Sequence, residues 1–250
     1  DLKDERVLVH ALVGCRGRWT LLGEGRTTKA GGKHPAVDGY ADTGGVLYFK
    51  IPEAKRLPVG LHRVRMTVTG DGTGADAWVH VVRKGAQVVV SDIDGTLTTS
   101  AHAETKALLR GRWPGARPEA AATLRAAAGK GYALYYLSSR PDWLVPRSHA
   151  WLRGNRFPPG VVHTSLSVAG ELKVDPVALK AGALERLKAR GLVPVLAFGD
   201  KATDAAAFAK AEVPARWLIA LEGDAHGRRR FGRWREAARA VAALPPACGL

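Results

Sequence analysis

Cysteine, long apolar runs and acidic residues are all in short supply in this chain. Only two of its 250 residues are cysteine, Cys15 and Cys248, near opposite ends. That excludes a disulfide framework and any zinc-ligand spacing, and free thiols are the expected state of both. No apolar run approaches the roughly 20 residues of a membrane-spanning helix, and no signal-like segment is read at the start. The chain opens on Asp1 rather than methionine, which fits a removed upstream segment. Cytoplasmic or peripheral-membrane residence is expected, with export the other option. Asp and Glu number 23 against 38 Lys and Arg, a formal charge of +15. Such an excess points to an acidic partner, whether phospholipid head groups, nucleic acid or phosphorylated small molecules, and is no evidence of fold.

What is present changes character along the chain. Up to residue 86 the text is short alternating runs broken by glycine: RVLVHALV, GGVLYFKIP, LHRVRMTVTG and ADAWVHVVRKG. In the third, Val64, Met66 and Val68 share one face and Arg63, Arg65 and Thr67 the other, the period of a half-buried strand. GDGTG at 70–74 reads as a hairpin turn. Residues 1–86 are therefore expected to form an antiparallel β-sandwich of the immunoglobulin-like kind. Beyond Gly85, strands (QVVVSD, YALYYLS, VVHTS, PVLAFGD, ARWLIAL) alternate with alanine-rich helical stretches (PEAAATLRAAAGK, DPVALKAGALERLKARG, TDAAAFAKAE). Alternating β and α units imply a parallel sheet covered on both faces, so residues 87–250 form the second expected domain, of α/β class. There are 14 basic and 9 acidic residues up to position 86, and 24 and 14 beyond it. The positive excess thus sits mainly with the α/β part.

Ligands of open α/β sheets bind outside the carboxyl ends of the strands. There VVVSDID places Asp92 and Asp94, YALYYLS places Ser138, and PVLAFGD places Asp200, with Asp204 four residues later. Two acids at the end of a dry strand cost several kcal/mol unless paired or holding a metal. Phosphoryl transfer needs a nucleophile in line with the leaving oxygen, and a carboxylate can serve through an aspartyl-phosphate. Asp92 is the candidate nucleophile. Asp94, two residues on, points the same way and can protonate the leaving alkoxide and then activate water.

Asp92, Ile93, Asp94, Gly95 and Thr96 resemble the DxDGT signature of the haloacid dehalogenase superfamily of phosphatases. More narrowly, residues 44–222 resemble the lipin-type domain at the C-terminus of retinal-degeneration-B-type phosphatidylinositol transfer proteins, and the catalytic domain of the lipin phosphatidate phosphatases. The match is carried by GGVLYFKIP, LPVGLHRVRMTVTGDGT, VVVSDIDGTLTTS, GYALYYLSSRPDWLVPRSHAWLRGNRFPPG, DPVALKAGALERL and AFGDKATDAAAF. The resemblance implies a Rossmann-type haloacid dehalogenase-like fold and a Mg²⁺ cofactor. Its expected ligands are Asp92, the backbone carbonyl of Asp94, and Asp200, with Asp204 helping. It also implies phosphate binding by Ser138 and the region of Ser139, with Thr96 among the substrate-binding residues, and a phosphate-facing lysine at Lys180, four residues after Pro176. Oxygen ligands in this number suit Mg²⁺.

Plainer roles stand beside these. Ser138 alone would be a strand-end cap, Lys180 a solvated helix residue with Lys173 as rival, and Asp204 the cap of the following helix. Arg140 and Asp142 in SSRPDW read as an ion pair that shapes a loop. The transfer-protein domains resemble this chain in nearly every motif but carry serine in place of Asp92 and are taken to bind phosphatidate without hydrolysing it. The lipins keep the aspartate, as here. Only about twenty residues separate Thr96 from the helix near Pro118, too few for a large cap domain, so the site is expected to be open to a bulky or a small phosphomonoester.

Membrane contact has two candidates. HGRRRFGRWREAARAVAAL sets Phe231, Trp234, Ala238 and Val241 at helical spacing among Arg228, Arg229, Arg230, Arg233, Arg235 and Arg239. Such a helix either lies on an anionic surface or packs its stripe on the sheet. Trp113 in GRWPG is the other candidate anchor. The expected function is a Mg²⁺-dependent phosphatase acting on phosphatidate or a related lipid phosphate, with possible peripheral association with anionic membranes. A non-catalytic phosphatidate-binding module and a soluble small-molecule phosphatase are the alternatives. No RNA-binding signature or aromatic-interleaved basic strand favours a nucleic-acid partner.

Overall fold

The computed structural model describes residues 2–29, 34–36, 40–100, 102–166, 175–219 and 229–247. Its chain divides into two compact units, Asp1–Val82 and Arg83–Leu250.

The first unit holds one four-stranded antiparallel sheet. Its strands are β1 (Arg6–Leu12), β2 (Thr20–Arg26), β3 (Gly60–Val68) and β4 (Gly74–Val81), in the order β2-β1-β3-β4. Val9, Ala11, Leu22 and Val64 form the buried centre of one face, and Leu47, Phe49 and Ile51 pack against it. GGVLYFKIP, expected as a strand, has the right alternation but is not a strand of the sheet: backbone bonds tie its start to Thr28 (Thr28 N to Val46 O at 3.0 Å, Gly45 N to Thr28 O at 2.9 Å), and beyond them it packs Leu47, Phe49 and Ile51 against the sheet's core. Alternation reports one-sided burial, which an extended segment meets without cross-strand hydrogen bonds. The strand in its place, TLLGEGR, is interrupted by two glycines, because the rings and methyls of Phe49 and Leu47 occupy the space above Gly23 and Gly25. The hairpin at 70–74 is present, closed by Val68 N donating to Thr73 O at 2.8 Å.

The second unit is a six-stranded, all-parallel sheet. β5 (Gln87–Ser91), β6 (Ala133–Pro141), β7 (Val161–Ser165), β8 (Val193–Gly199), β9 (Ala215–Ile219) and β10 (Arg229–Phe231) lie in the order β10-β9-β8-β5-β6-β7. Helices α1 (Ala103–Leu109), α2 (Ala120–Gly129), α3 (Val145–Gly154), α4 (Pro176–Ala189), α5 (Ala202–Lys210) and α6 (Trp234–Ala243) make the connections and the end. Alternate valines of β5 point into separate cores. Val89 joins Leu124, Trp151 and Trp234 on one face, and Val88 and Val90 join Leu184, Leu187 and Phe208 on the other. A strand buried on both sides must be apolar throughout, as QVVV is.

The chain order reverses at β5, whose neighbours are β6 on one side and β8 on the other. That topological switch point is where an α/β sheet opens a crevice at its carboxyl edge. α6 settles one alternative above: Trp234, Ala237 and Val241 are buried in the sheet-facing core, so this apolar stripe is not available to a membrane. The side chain of Phe231, along with Arg228, Lys173 and Cys248, lies outside the described residues. No helix among the described residues is long and apolar enough to cross a membrane.

Candidate active site

Asp92 and Asp94 leave the end of β5, and Asp200 and Asp204 follow β8, its neighbour in the sheet. The DIDGT turn is fixed by local bonds. Leu97 N donates to Ile93 O at 2.9 Å, Gly95 N to Thr98 Oγ1 at 2.9 Å, and Arg117 Nε to Gly95 O at 2.8 Å. Gly95 has φ +89°, and a Cβ there would fall 1.9 Å from Asp200 Oδ2. Only glycine allows both the left-handed turn and that approach.

Lys180, on the second turn of α4, is buried between two acids. Its Nζ lies 2.6 Å from Asp92 Oδ1 and 2.5 Å from Asp204 Oδ1. Asp204 is engaged on its other oxygen as well, accepting from Asp200 N at 3.1 Å and Lys201 N at 3.0 Å. It therefore caps the start of α5 and anchors the lysine at once. Burial works against the Lys180 ammonium, but the carboxylates of Asp204 and Asp92 prevail and hold it above its ordinary range. For Asp92, burial pushes the carboxyl up, Lys180 pulls it back, and the carboxylates of Asp204, Asp200 and Asp94 push it up again. Asp200 is pushed up to about 6, first by burial and then by Asp204.

Lys180 is thus set among three clustered acids. Asp92, Asp200 and Asp204 each bring a carboxylate oxygen to within 4.8 Å of the others. Asp92 Oδ2 is buried with no hydrogen-bond partner, a state that costs free energy unless something enters to meet it. The donors are all hard oxygens and the local charge is negative, so the cluster fits a Mg²⁺-like cation. Thr96 is buried and donates its hydroxyl to Asp200 Oδ1 at 3.2 Å, so it faces the same cluster.

Asp94 is held differently. Arg140 grips it with two bonds, Nε to Oδ2 and Nη2 to Oδ1, both 2.7 Å. Ser138 Oγ donates to the same Oδ2 at 3.3 Å and accepts from Arg140 N at 3.2 Å. Ser139 Oγ, next in the strand, is buried and has no partner. Arg140 is braced in turn by Ser148 Oγ at 2.9 Å and by Glu104 Oε2 at 3.2 Å, and Glu104 also holds Arg147. This corrects the reading of Arg140 with Asp142 as a loop-shaping pair: Arg140 points into the site and its partners are Asp94 and Glu104. The sequence signal for it is the SSRPDW stretch shared with the resembling proteins, in which Arg140 reads as paired with Asp142; Glu104, 36 residues upstream, gives none.

The parallel sheet, its switch point and the acid cluster define a protein with the haloacid dehalogenase-type phosphatase fold. The LNS2 domain model of the membrane-associated phosphatidylinositol transfer proteins 1–3 (PITM 1–3) matches residues 89–220, more than half of the chain, and the β-sandwich domain model of the same proteins matches residues 34–81. The chain belongs to this LNS2 family. It is 36% identical over 143 residues to human membrane-associated phosphatidylinositol transfer protein 2, covering 57% of this chain and 10% of that protein. To the Drosophila melanogaster protein retinal degeneration B it is 31% identical over 201 residues, 80% of this chain and 14% of that one. The chain therefore spans a small part of the curated relatives it matches. Among solved structures, a haloacid dehalogenase-like phosphatase from Mesorhizobium loti aligns with a TM-score of 0.47 at 17% identity, covering 66% of this chain and 88% of that one. The D,D-heptose 1,7-bisphosphate phosphatase of B. bronchiseptica, complexed with magnesium and phosphate, aligns at 0.46 and 16%, covering 63% and 98%.

Proposed function

We propose that the protein is a divalent-cation-dependent phosphomonoesterase in which Asp92 is the nucleophile, and that its substrate is phosphatidate or a related lipid phosphate. The observation that carries the reading is Asp92 itself: a buried carboxylate with one oxygen held by Lys180 and the other left without a partner. A purely structural aspartate in that position would have both oxygens engaged, as Asp204 has.

An Asp92 oxygen attacks phosphorus, the ester P–O bond breaks, and the leaving alkoxide takes a proton from Asp94. Water then attacks the aspartyl-phosphate, Asp94 takes its proton, and inorganic phosphate leaves. Lys180 offsets the charge on Asp92 and on the phosphoryl group. Ser138, Ser139 and Thr96 would supply hydroxyls to phosphate oxygens, Thr96 and Ser138 by exchanging their bonds to Asp200 and Asp94. Asp92, Asp200 and the Asp94 carbonyl are the groups that would hold Mg²⁺, with Asp204 acting through Lys180 and the α5 cap. When bound, the cation supplies Lewis-acid stabilisation of the phosphoryl oxygens.

A second reading has one specific observation in its favour. Asp94 has both oxygens occupied by Arg140, so proton transfer requires its carboxyl to exchange the guanidinium for substrate. A site that never makes the exchange would bind phosphatidate and not cleave it, in line with relatives whose names describe lipid transfer. Phosphate release separates the readings. With Mg²⁺, the protein is expected to release phosphate from phosphatidate vesicles, and Asp92→Asn to abolish it. Binding without release establishes the module, and release from soluble phosphomonoesters alone establishes a small-molecule phosphatase.

A further inference from the structure

Behind Asp94 a row of charges of alternating sign leads away from the site. Arg140 bridges Asp94 and Glu104, and Glu104 bridges Arg140 and Arg147. Its members come from four places in the chain: Asp94 beyond β5, Glu104 on α1, Arg140 in β6 and Arg147 on α3. Acids and bases balance in this row, so a guanidinium can change partners within it without creating a buried net charge. Arg140 and Glu104 are buried, whereas Asp94 keeps 16% of its side chain exposed and is the end open to a substrate.

The two oxygens of Glu104 are used unequally. Oε1 accepts from Arg147 Nε, whereas Oε2 is buried, has no hydrogen-bond partner and lies 3.2 Å from Arg140 Nη2. The same Nη2 donates to Asp94 Oδ1 at 2.7 Å. One nitrogen thus faces two carboxylates and is bonded to one of them, while the unsatisfied oxygen carries the free-energy cost of an unmade bond. Nη1 of Arg140 donates to Ser148 Oγ at 2.9 Å, a fixed point about which the guanidinium can turn. Burial opposes the Arg140 charge, but Asp94, and behind it Glu104 and Asp92, hold it above its ordinary range, so it stays a cation whichever acid it meets. Glu104 is itself held from behind. Arg147 donates to Arg112 O, and its Cζ lies 4.2 Å from the ring centre of Trp113.

We propose that Glu104 is a positioning residue that takes Arg140 over from Asp94 during turnover. The inference rests on the phosphatase reading and meets its outstanding requirement, since Asp94 must lose the guanidinium before it can serve the leaving oxygen. As substrate enters, Nη2 completes its bond to Glu104 Oε2, Nε is left for a phosphate oxygen, and the Asp94 carboxyl turns to the substrate. When phosphate leaves, the clamp closes again on Asp94. Without Glu104 the guanidinium would have Asp94 as its one carboxylate partner among the described residues and would keep it, because two charge-assisted bonds are strong.

Glu104→Gln keeps the shape of the side chain and removes its charge. With Mg²⁺, and with whichever of phosphatidate or p-nitrophenyl phosphate the parent hydrolyses, it is expected to lower kcat about tenfold or more and leave KM unchanged, a loss confined to the chemical step. Glu104→Asp, which retains the charge, should recover part of the loss. A scaffold role alone would lower the melting temperature and leave kcat per folded molecule intact, which overturns the proposal, as does equal loss of kcat in the two variants. The crystal structure of the whole parent chain with Mg²⁺ and orthovanadate gives an answer even if neither variant folds. Arg140 Nη2 on Glu104 Oε2 with Asp94 released is the expected state, and Asp94 still carrying both guanidinium bonds overturns the proposal. Absence of phosphate release by the parent removes the phosphatase reading instead, and the handover then stands or falls on the vanadate complex.

Discussion

Lys180 is the residue on which the acid cluster depends. Its ammonium lies between two buried carboxylates, and its loss would leave them facing one another with no counter-charge. Removing one partner of a buried pair costs about 3–5 kcal/mol. Lys180→Met is expected to lower the unfolding free energy by that order in a urea titration, with millimolar Mg²⁺ restoring part of it. Asp200 gives the matching pH dependence. Its folded value, pushed up to about 6, exceeds the value of a free aspartate, so between the two the folded protein keeps a proton that the unfolded chain has released. Stability in chelator should therefore fall as pH rises through that window, while the rise in Tm caused by Mg²⁺ should be small near pH ~5 and grow toward pH ~7. Gly95→Ala tests the close approach: its Cβ must displace the Asp200 carboxylate, so the Mg²⁺-induced rise in Tm should largely vanish. At this scale the sequence was legible wherever a side chain follows directly from a strand end, as for Asp92, Asp94 and Asp200. It was not legible where a partner comes from far along the chain. Arg140 had only Asp142 as a visible neighbour, and nothing in SSRPDW points 46 residues back to Asp94.

Among the elements, α4 and α3 carry consequences that can be measured. α4 begins at Pro176 with Asp175 as its cap, the carboxylate accepting from Val177 N at 2.9 Å. Asp175→Ala should cost about 1 kcal/mol in chemical denaturation and raise the Mg²⁺ concentration needed for half-maximal phosphate release, because the same helix delivers Lys180. His149, on α3, is pulled down to about 4 by burial and, secondarily, by Arg153. An unfolded histidine binds its proton near pH ~6.5, whereas the folded one resists until about 4, so its contribution to stability is present above that window and lost as pH falls through it. His149→Gln should flatten the acid side of a plot of Tm against pH. Long periodic elements, β3, β5, α2, α4 and α5, could be read from the text because one-sided or two-sided burial imposes its period. α1 and α3 were missed: the first is seven residues long and the second opens on a proline inside what reads as a loop. β10, three residues at the edge of the sheet, is too short to leave a period at all.

The described residues hold three buried hydrophobic clusters, one in the first unit and two on opposite faces of the parallel sheet in the second, with the division between Val82 and Arg83. The sequence placed the change of character at 86/87, where the pattern of alternation ends. Residues 83–86 group with the later part, since Gly85 N donates to Gly191 O at 2.6 Å and Val193 N to Ala86 O at 2.9 Å. We propose Arg83–Leu250 as a separately folding unit: expressed alone it is expected to melt cooperatively and to retain phosphate release, whereas a version starting at residue 87 should melt lower.

Trp234 ties α6 to the DIDGT turn, its Nε1 donating to Thr96 O at 3.1 Å while its ring lies against Phe198, the centroids 4.8 Å apart. A nascent chain emerging from the ribosome therefore makes the DIDGT turn early and the prop for that turn more than a hundred residues later. Premature termination between residues 205 and 233 would leave every acid of the cluster encoded and the scaffold beneath them unfinished, so such truncated products should be inert and short-lived even though no motif has been lost.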